Sequence, residues 1–483
     1  MFKQLVFKII KILSYIPLLK YLFKFFYLHS IKKIKNEFKD QNNITDIILT
    51  SNLKSRDFVY GHSDLNFLII VDNDCHPKAV LKEFRAFIAA HLELSITVNQ
   101  DYIPILTESE LKTDVIKSYL IRKSYQDLVR WNSILKEKDY TFYLRKQDHF
   151  AISYNSFQNL DYYFLREKFQ RTKRIKFNFL YRSVQNIKKF YPQYILKDNN
   201  WKELSNKIKK HPLINSYLIK KFIKSSWGIL THFEESYPTN QHRKRLAIPH
   251  DFSKYLDTLT SLEFINDFTL TPTLIQNSKH EVQGKLFIDV HVNSKIQLKG
   301  YNLQLDNLKR GIKSYEKDYI KFRVRFTTDS LYKLQNEHAF YPFPLEALYR
   351  KKKTVSILNK NYNFLINHDD IILASIHFLT TQFMRFRSHQ QQTELIGSKF
   401  IKSLNLMYKY FLLSEYLKGK EFATSMSEKK IREQLSPQFS ELDLEDAVTE
   451  EHWKIIKAQL LYLLKEIRDE LIKHDSSLKV LKF

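Results

Sequence analysis

Ser63 and Asp64 stand directly before an apolar run, Leu65-Asn66-Phe67-Leu68-Ile69-Ile70-Val71, which only Asn66 interrupts. A run of this kind reads as a strand spanning Asp64 to Val71. Side chains alternate across a strand, so Asp64 and Asn66 share one face while Leu65 and Phe67 share the other. The flanking periodicities predict a charged helix near residues 31–40, a strand Ile44–Thr50, a helix near 78–92 and a strand Glu93–Asn99. A chain built this way is committed to mixed α and β structure over residues 31–124.

The same alternation in Glu93-Leu94-Ser95-Ile96-Thr97-Val98 puts Glu93, Ser95 and Thr97 on a polar face. If the two strands are neighbours, Asp64, Asn66 and Glu93 converge. Oxygen ligands gathered there suit Mg²⁺ held against a nucleoside triphosphate, and a carboxylate can deprotonate an attacking hydroxyl.

The stretch Ser51-Asn52-Leu53-Lys54-Ser55-Arg56-Asp57-Phe58-Val59-Tyr60-Gly61-His62-Ser63-Asp64-Leu65-Asn66, with the later Leu92-Glu93-Leu94-Ser95-Ile96-Thr97-Val98 and Asp101-Tyr102-Ile103-Pro104, resembles the DNA polymerase β-like nucleotidyltransferases, and among them the aminoglycoside adenylyltransferases. In that family a Gly-Ser turn precedes Ser-Asp-x-Asp/Glu on a strand, and a later strand carries a third acid. The resemblance implies that Asp64 is the first metal ligand, Asn66 the second and Glu93 the third acid. It also implies that Ser51, Asn52 and Ser63 face the triphosphate. The implied reaction is Mg²⁺-dependent transfer of a nucleoside monophosphate from a nucleoside triphosphate, ATP first among them, to a hydroxyl acceptor.

Two departures bear on that chemistry. Ser51 stands where the family has Gly, adding a side chain where backbone amides approach phosphate. Asn66 stands where a carboxylate is expected, and a neutral amide oxygen is a poorer Mg²⁺ ligand. The alternative expectation is an inactive relative that keeps the fold and binds nucleic acid or an anionic membrane surface.

Composition narrows the remaining classes. A net charge of +26 suits a polyanionic partner, although lysine as the default surface residue of an A/T-rich genome gives the same bias. One cysteine, Cys75, excludes an intramolecular disulfide framework or a cysteine zinc cage and fits a cytoplasmic setting. Seven scattered glycines leave no GxGxxG or GxxxxGK[ST] cradle. Residues 1–27 form a basic amphipathic arm, broken near Pro17, that either lies on an anionic leaflet or packs against the protein's own core.

The expected fold is α+β: an arm (1–30), a small mixed-sheet nucleotidyltransferase-like domain (31–124), a basic helical region (125–262), a β-containing segment (263–335) and a helical end (336–483). Residues 158–190 carry Arg166, Lys168, Arg171, Lys173, Arg174, Lys176, Arg182, Lys188 and Lys189 among aromatics, either tracking a phosphate backbone or forming a solvated face. In the β-containing segment, Phe287, Asp289 and His291 alternate with apolar residues. So do Lys321, Arg323 and Arg325, which form either an anion-binding surface or a charge-guarded edge. Asp289 and His291 read as a solvent-facing polar stripe, with an acid/base pair as the rarer option. His232 and Glu235 are spaced to share a metal but lack a third ligand. No internal repeat is evident.

Overall fold

The computed structural model describes residues 13, 19–53, 58, 60, 63–99, 103–112, 128–136, 138–143, 146–161, 174–195, 199–210, 216–229, 250–272, 284–293, 301–317, 320–362, 364–388, 397–422 and 450–481. The fold is α+β, with one sheet of five strands and one of four. The chain divides into two compact units, Met1–Ile152 with Leu379–Thr393 and Asp475–Phe483, and Ser153–Phe378 with Glu394–His474.

The first unit opens with helix α1 (Leu19–Phe38), followed by β1 (Ile44–Leu49), β2 (Phe67–Val71), α2 (Pro77–Ala90), α3 (Leu92–Thr97), β3 (Ile105–Thr107), α4 (Glu108–Lys112), β4 (Leu128–Ser133) and β5 (Asp139–Tyr143). Strand order is β3-β2-β1-β4-β5, with β2 antiparallel to β1 and parallel to β3. The parallel β2–β3 pair needs a crossover, which α2 and α3 supply. All five residues of β2 are buried, as a central strand covered on both faces requires. Phe23, Tyr27, Ile34 and Phe38 of α1 join Val80, Leu81, Phe84 and Ile88 of α2 in that cover. Residues 19–27, the described part of the expected arm, are the start of a helix that packs on the core, one of the two alternatives for the arm; most of residues 1–18 lie outside the described residues. At α4 the Glu110 carboxylate accepts the Thr107 N–H (2.9 Å) while the Thr107 hydroxyl accepts the Glu110 N–H (3.3 Å), a reciprocal capping box.

The second unit begins within helix α5 (Lys146–Leu160). It continues through α6 (Arg174–Phe190), α7 (Asn199–Lys210), α8 (Ser216–Gly228), α9 (His250–Leu259), β6 (Ile265–Thr271), β7 (Gly284–Val292), α10 (Tyr301–Lys313), β8 (Ile320–Thr327), α11 (Asp329–Glu337), α12 (Glu346–Lys353), β9 (Val355–Ser356), the part of α13 (His368–Ser388) up to Phe378, α14 (Gly397–Leu417) and α15 (Glu450–Leu471). Strands β4 and β5 fall in a stretch expected to be helical, because the alternation in Val129-Arg130-Trp131-Asn132 is too short to stand out from its basic neighbours. Of the basic run in 158–190, Arg166, Lys168, Arg171 and Lys173 lie outside the described residues. Arg182 and Lys188 are half-buried, with the Lys188 ammonium 5.3 Å from the Trp201 ring. Burial pushes the Arg182 guanidinium below its ordinary pKa.

Contrary to the expectation of no internal repeat, the sheet of the second unit repeats that of the first. Its order is β8-β7-β6-β9, with β7 antiparallel to β6 and parallel to β8, as β2 is to β1 and β3. Both antiparallel pairs carry a register irregularity at the same point, between Ile44 and Asp46 and between Ile265 and Asp267. The lead-in bonds also match. Gln41 N–H donates to Phe38 O, Ile44 N–H to Gln41 O and Asp72 N–H to Asn43 O, and in the second unit Leu262 donates to Leu259, Ile265 to Leu262 and Asn293 to Phe264.

Equivalent strands keep equivalent buried side chains. The Asp46 carboxylate accepts from the Ile47 N–H (2.7 Å), the Ser133 hydroxyl (2.7 Å) and the Tyr140 hydroxyl (2.8 Å). The Asp267 carboxylate accepts from the Phe268 N–H (2.7 Å), the Ser356 hydroxyl (2.7 Å), the Tyr362 hydroxyl (2.8 Å) and the Leu358 N–H (3.1 Å). After β3 and β8, Thr107-Glu108-Ser109 and Thr328-Asp329-Ser330 each begin a helix capped by the threonine hydroxyl. The chain thus holds two copies of one helix-strand-strand-helix-strand design. The repeat is hidden in the sequence because little beyond these turn and clasp residues is shared.

Candidate functional site

Three of the expected site residues meet at the entrance to β2. The Ser51 hydroxyl donates to the Asp64 carbonyl (3.1 Å) and accepts the Asn66 N–H (2.8 Å) and the Asn66 side-chain amide (3.2 Å). The same amide donates to the Asp64 carbonyl at 3.1 Å. The Thr50 N–H and hydroxyl bond to the Asn66 carbonyl at 2.9 and 3.0 Å, so the turn leaving β1 is stitched to the chain entering β2. The Tyr27 hydroxyl of α1 donates to the Ser63 carbonyl at 2.7 Å and fixes the approach from the helix side. Asp64 and Asn52 are exposed, whereas Ser51, Ser63 and Asn66 are half-buried. The strand expected from Asp64 begins as regular structure only at Phe67, although Leu65 makes a parallel bridge to Val98.

Glu93 does not follow the expectation. The segment expected to be a strand is helix α3, in which Leu94 and Thr97, three residues apart, face the core. A short run that alternates by two also satisfies a single helical turn, and burial at this spacing decides for the helix. Glu93, Ser95 and Thr97 therefore do not share a strand face. The Glu93 carboxylate accepts from the Lys33 ammonium of α1 at 2.5 Å. That hydrogen bond, opposed by partial desolvation, holds its carboxyl below the ordinary carboxylate range.

Because the folded-state pKa is depressed, the pair contributes stability above the ordinary glutamate pKa and loses it as pH falls. The groups are about a quarter to a third exposed, so Lys33→Ala is expected to cost about 0.5–1 kcal/mol in urea unfolding at neutral pH and almost nothing in acid. A cost independent of pH would reject this account of Glu93.

The donor set can be weighed against Mg²⁺. Among the described residues no group of three or more His, Cys, Asp or Glu side chains is placed to hold a metal ion. Asp64 and the amide oxygen of Asn66 fit the small protein share of an Mg²⁺ shell whose other ligands are phosphate oxygens and water. They do not fit a clamp of two or three carboxylates. His232 and Glu235 lie outside the described residues, as does Asp101.

The second unit differs from the first at this place. The pairing of β6 with β7 puts Ile288 where Phe67 stands, so Lys285 and Phe287 take the positions of Asp64 and Asn66. Further along β7, Asp289 and His291 are buried, not the expected solvent-facing stripe, because α11 and α12 cover that face. Asp289 accepts from Arg325 Nε and from an Arg350 guanidinium nitrogen, both at 2.6 Å. Burial raises its carboxyl pKa, and the two guanidinium groups outweigh that and hold it below the ordinary range. His291 lies between Asp329 (Nδ1 to Oδ1, 2.7 Å) and Thr269 (Nε2 to Oγ1, 3.1 Å). This Thr-His-Asp line resembles a nucleophile, base and orienting acid, yet it sits under the rings of Tyr332 and Tyr362 and is a satisfied core network.

No protein-family model, curated protein or solved structure matches the chain. Among the described residues no helix is long and apolar enough to cross a membrane. Sequence reasoning missed the Asp46 and Asp267 clasps. Their signal was the pairing of Ile44-Thr45-Asp46 with Ile265-Asn266-Asp267 and of Ser133-Ile134-Leu135 with Ser356-Ile357-Leu358.

Proposed function

We propose that this chain is a nucleotidyltransferase-type protein whose first unit receives a nucleoside triphosphate at the mouth formed by Ser51, Ser63, Asp64 and Asn66. The observation that carries the reading is the stitch between the turn after β1 and the entry to β2. It presents the exposed Asp64 beside a backbone turn, at the end of a buried central strand. Asp64, with the amide oxygen of Asn66, would hold Mg²⁺, which when bound neutralises triphosphate charge during transfer of a nucleoside monophosphate to a hydroxyl acceptor. Asn52, beside Ser51 in the same exposed turn, offers an amide donor to a phosphate oxygen.

A second reading, that the first unit binds the triphosphate without transferring it, is favoured by two observations. Asn66 supplies no charge and spends its amide on Ser51 and Asp64, and Glu93 is engaged by Lys33. Missing one carboxylate at a metal-assisted site costs on the order of 10²-fold or more in rate. The experiment is incubation of the purified chain with labelled ATP, Mg²⁺ and a mixture of hydroxyl acceptors. Transfer abolished by Asp64→Ala supports the enzyme. Transfer that appears only in Asn66→Asp, with ATP binding already present in the natural chain, supports the binding reading. Absence of both binding and transfer rejects the proposal.

A further inference from the structure

Duplication allows the mouth of the second unit to be compared with that of the first, position by position. Where β2 is entered through Asp64 and Asn66, β7 is entered through Lys285 and Phe287. The neighbouring strand sharpens the contrast, because β8 pairs with β7 along its full length and sets Lys321 opposite Lys285 and Arg323 opposite Phe287. In-register partners of a parallel pair point to the same side of the sheet. The contacts agree, since the Arg323 guanidinium lies 5.7 Å from the Phe287 ring and Arg325 bonds to Asp289. Arg350 approaches the same ring at 5.3 Å.

Charge on this face changes with depth. At the buried end Asp289 is matched by Arg325 and Arg350, and Glu346 accepts a further bond from Arg350. Toward the open end Lys321 and Arg323 are exposed, and no acidic residue occupies a register position from Gly284–Ile320 to Phe287–Arg323. Arg325 spends Nε on Asp289 and one terminal nitrogen on Gln335 (2.6 Å), with the Asp161 carboxylate 3.8 Å from that nitrogen, so it belongs to the buried network and not to the open end. The half-buried Phe287 ring between guanidinium groups adds an apolar surface on which a base can stack.

We propose that the second unit binds the phosphate of a nucleotide or nucleotide strand without a metal ion, through the exposed Lys321 and Arg323 beside Phe287. The first unit's acidic mouth calls for a cation between protein and phosphate, whereas the second unit's basic mouth meets the phosphate directly. This is independent of transfer in the first unit, since it needs neither Mg²⁺ nor Asp64.

The test uses the full-length chain in EDTA, titrated against a fluorescein-labelled single-stranded oligonucleotide and against a fluorescent ATP analogue. Binding of the oligonucleotide alone identifies a strand as the source of the phosphate, and binding of the analogue identifies a free nucleotide. For whichever probe binds, Lys321→Glu with Arg323→Glu is expected to weaken affinity about tenfold or more. For the oligonucleotide the salt slope should also fall by about two. Lys321→Arg with Arg323→Lys should retain binding. Lys457→Glu with Lys465→Glu, two exposed lysines of α15, controls for the overall positive charge. The proposal is overturned by no binding of either probe in EDTA, by no effect of the charge reversal, or by an equal loss in the control pair. Should the double reversal unfold the protein, Lys321→Glu alone, at an exposed position, gives the same decision.

Discussion

Asp289→Ala is expected to destabilise the second unit by about 3–5 kcal/mol, because it strands two guanidinium groups that are already out of water. Asp289 is 1% exposed and Arg350 4%, so Arg350 cannot recover its hydration without opening the packing of β7 and β8 against α11 and α12, and Arg325, 16% exposed, recovers it only in part. A loss of that size lowers Tm by about 5–8 °C in a unit of this size. Asp289→Asn should lose somewhat less, since an amide oxygen still accepts one of the two bonds.

The decisive comparison is Asp289→Ala combined with Arg325→Met and Arg350→Met, which removes the stranded charges and should recover much of the loss. The carboxyl is held below the ordinary aspartate range, so the stabilisation is complete above roughly pH 4 and is lost as pH falls further. Urea unfolding at pH 7 and pH 3 checks both statements. A loss that is the same at the two pH values, or a triple variant no more stable than Asp289→Ala, would contradict the ion network as the source.

Much of the fold could be read from periodicity, and the residues that escaped share a physical reason. Strands β1, β2, β7 and β8 and helix α2 follow from apolar alternation or apolar runs long enough to exclude the other period. Helix α3 escaped because Leu94-Ser95-Ile96-Thr97 satisfies both periods, and only burial of Leu94 and Thr97 separates them. Asp289 and His291 escaped because a polar stripe in a strand looks the same whether water or other polar side chains answer it. The arginines that answer Asp289 are remote in sequence.

At the candidate site, Ser51, Asp64 and Asn66 were found together because strand alternation and a local turn place them. Glu93 was misplaced because its position depends on the structure of another segment. The repeat escaped because its shared residues are the polar clasp and turn positions, scattered singly among apolar residues that differ freely between the copies.

Parallel substitutions at Asp46 and Asp267 separate what keeps the fold from what the mouths do. Both carboxylates are fully buried at the register irregularity of an antiparallel pair, and each ties a serine of the other neighbouring strand, β4 or β9, and a tyrosine beyond that serine to its own strand. Asp267→Ala leaves two N–H and two hydroxyl donors without their acceptor, in surroundings where Ser356 and Tyr362 are each 8% exposed. Each stranded donor costs about 1–3 kcal/mol, and relaxation should hold the total near 4 kcal/mol.

Asp46→Ala removes three acceptor bonds, and Ser133 and Tyr140 are half-buried and can meet water, so about 2–3 kcal/mol is expected. Hydrogen exchange should accelerate first at Lys136 N–H in the one case and Lys360 N–H in the other, because each donates to the serine that the aspartate holds. Equal protection of those amides in variant and natural chains would show that the clasps are dispensable. Since both copies keep the clasp while one mouth is acidic and the other basic, neither substitution should alter ligand preference at the unit left intact. The clasp answers to the shared backbone design, and the mouths, one with Asp64 and the other with Lys321 and Arg323, are where the two copies differ.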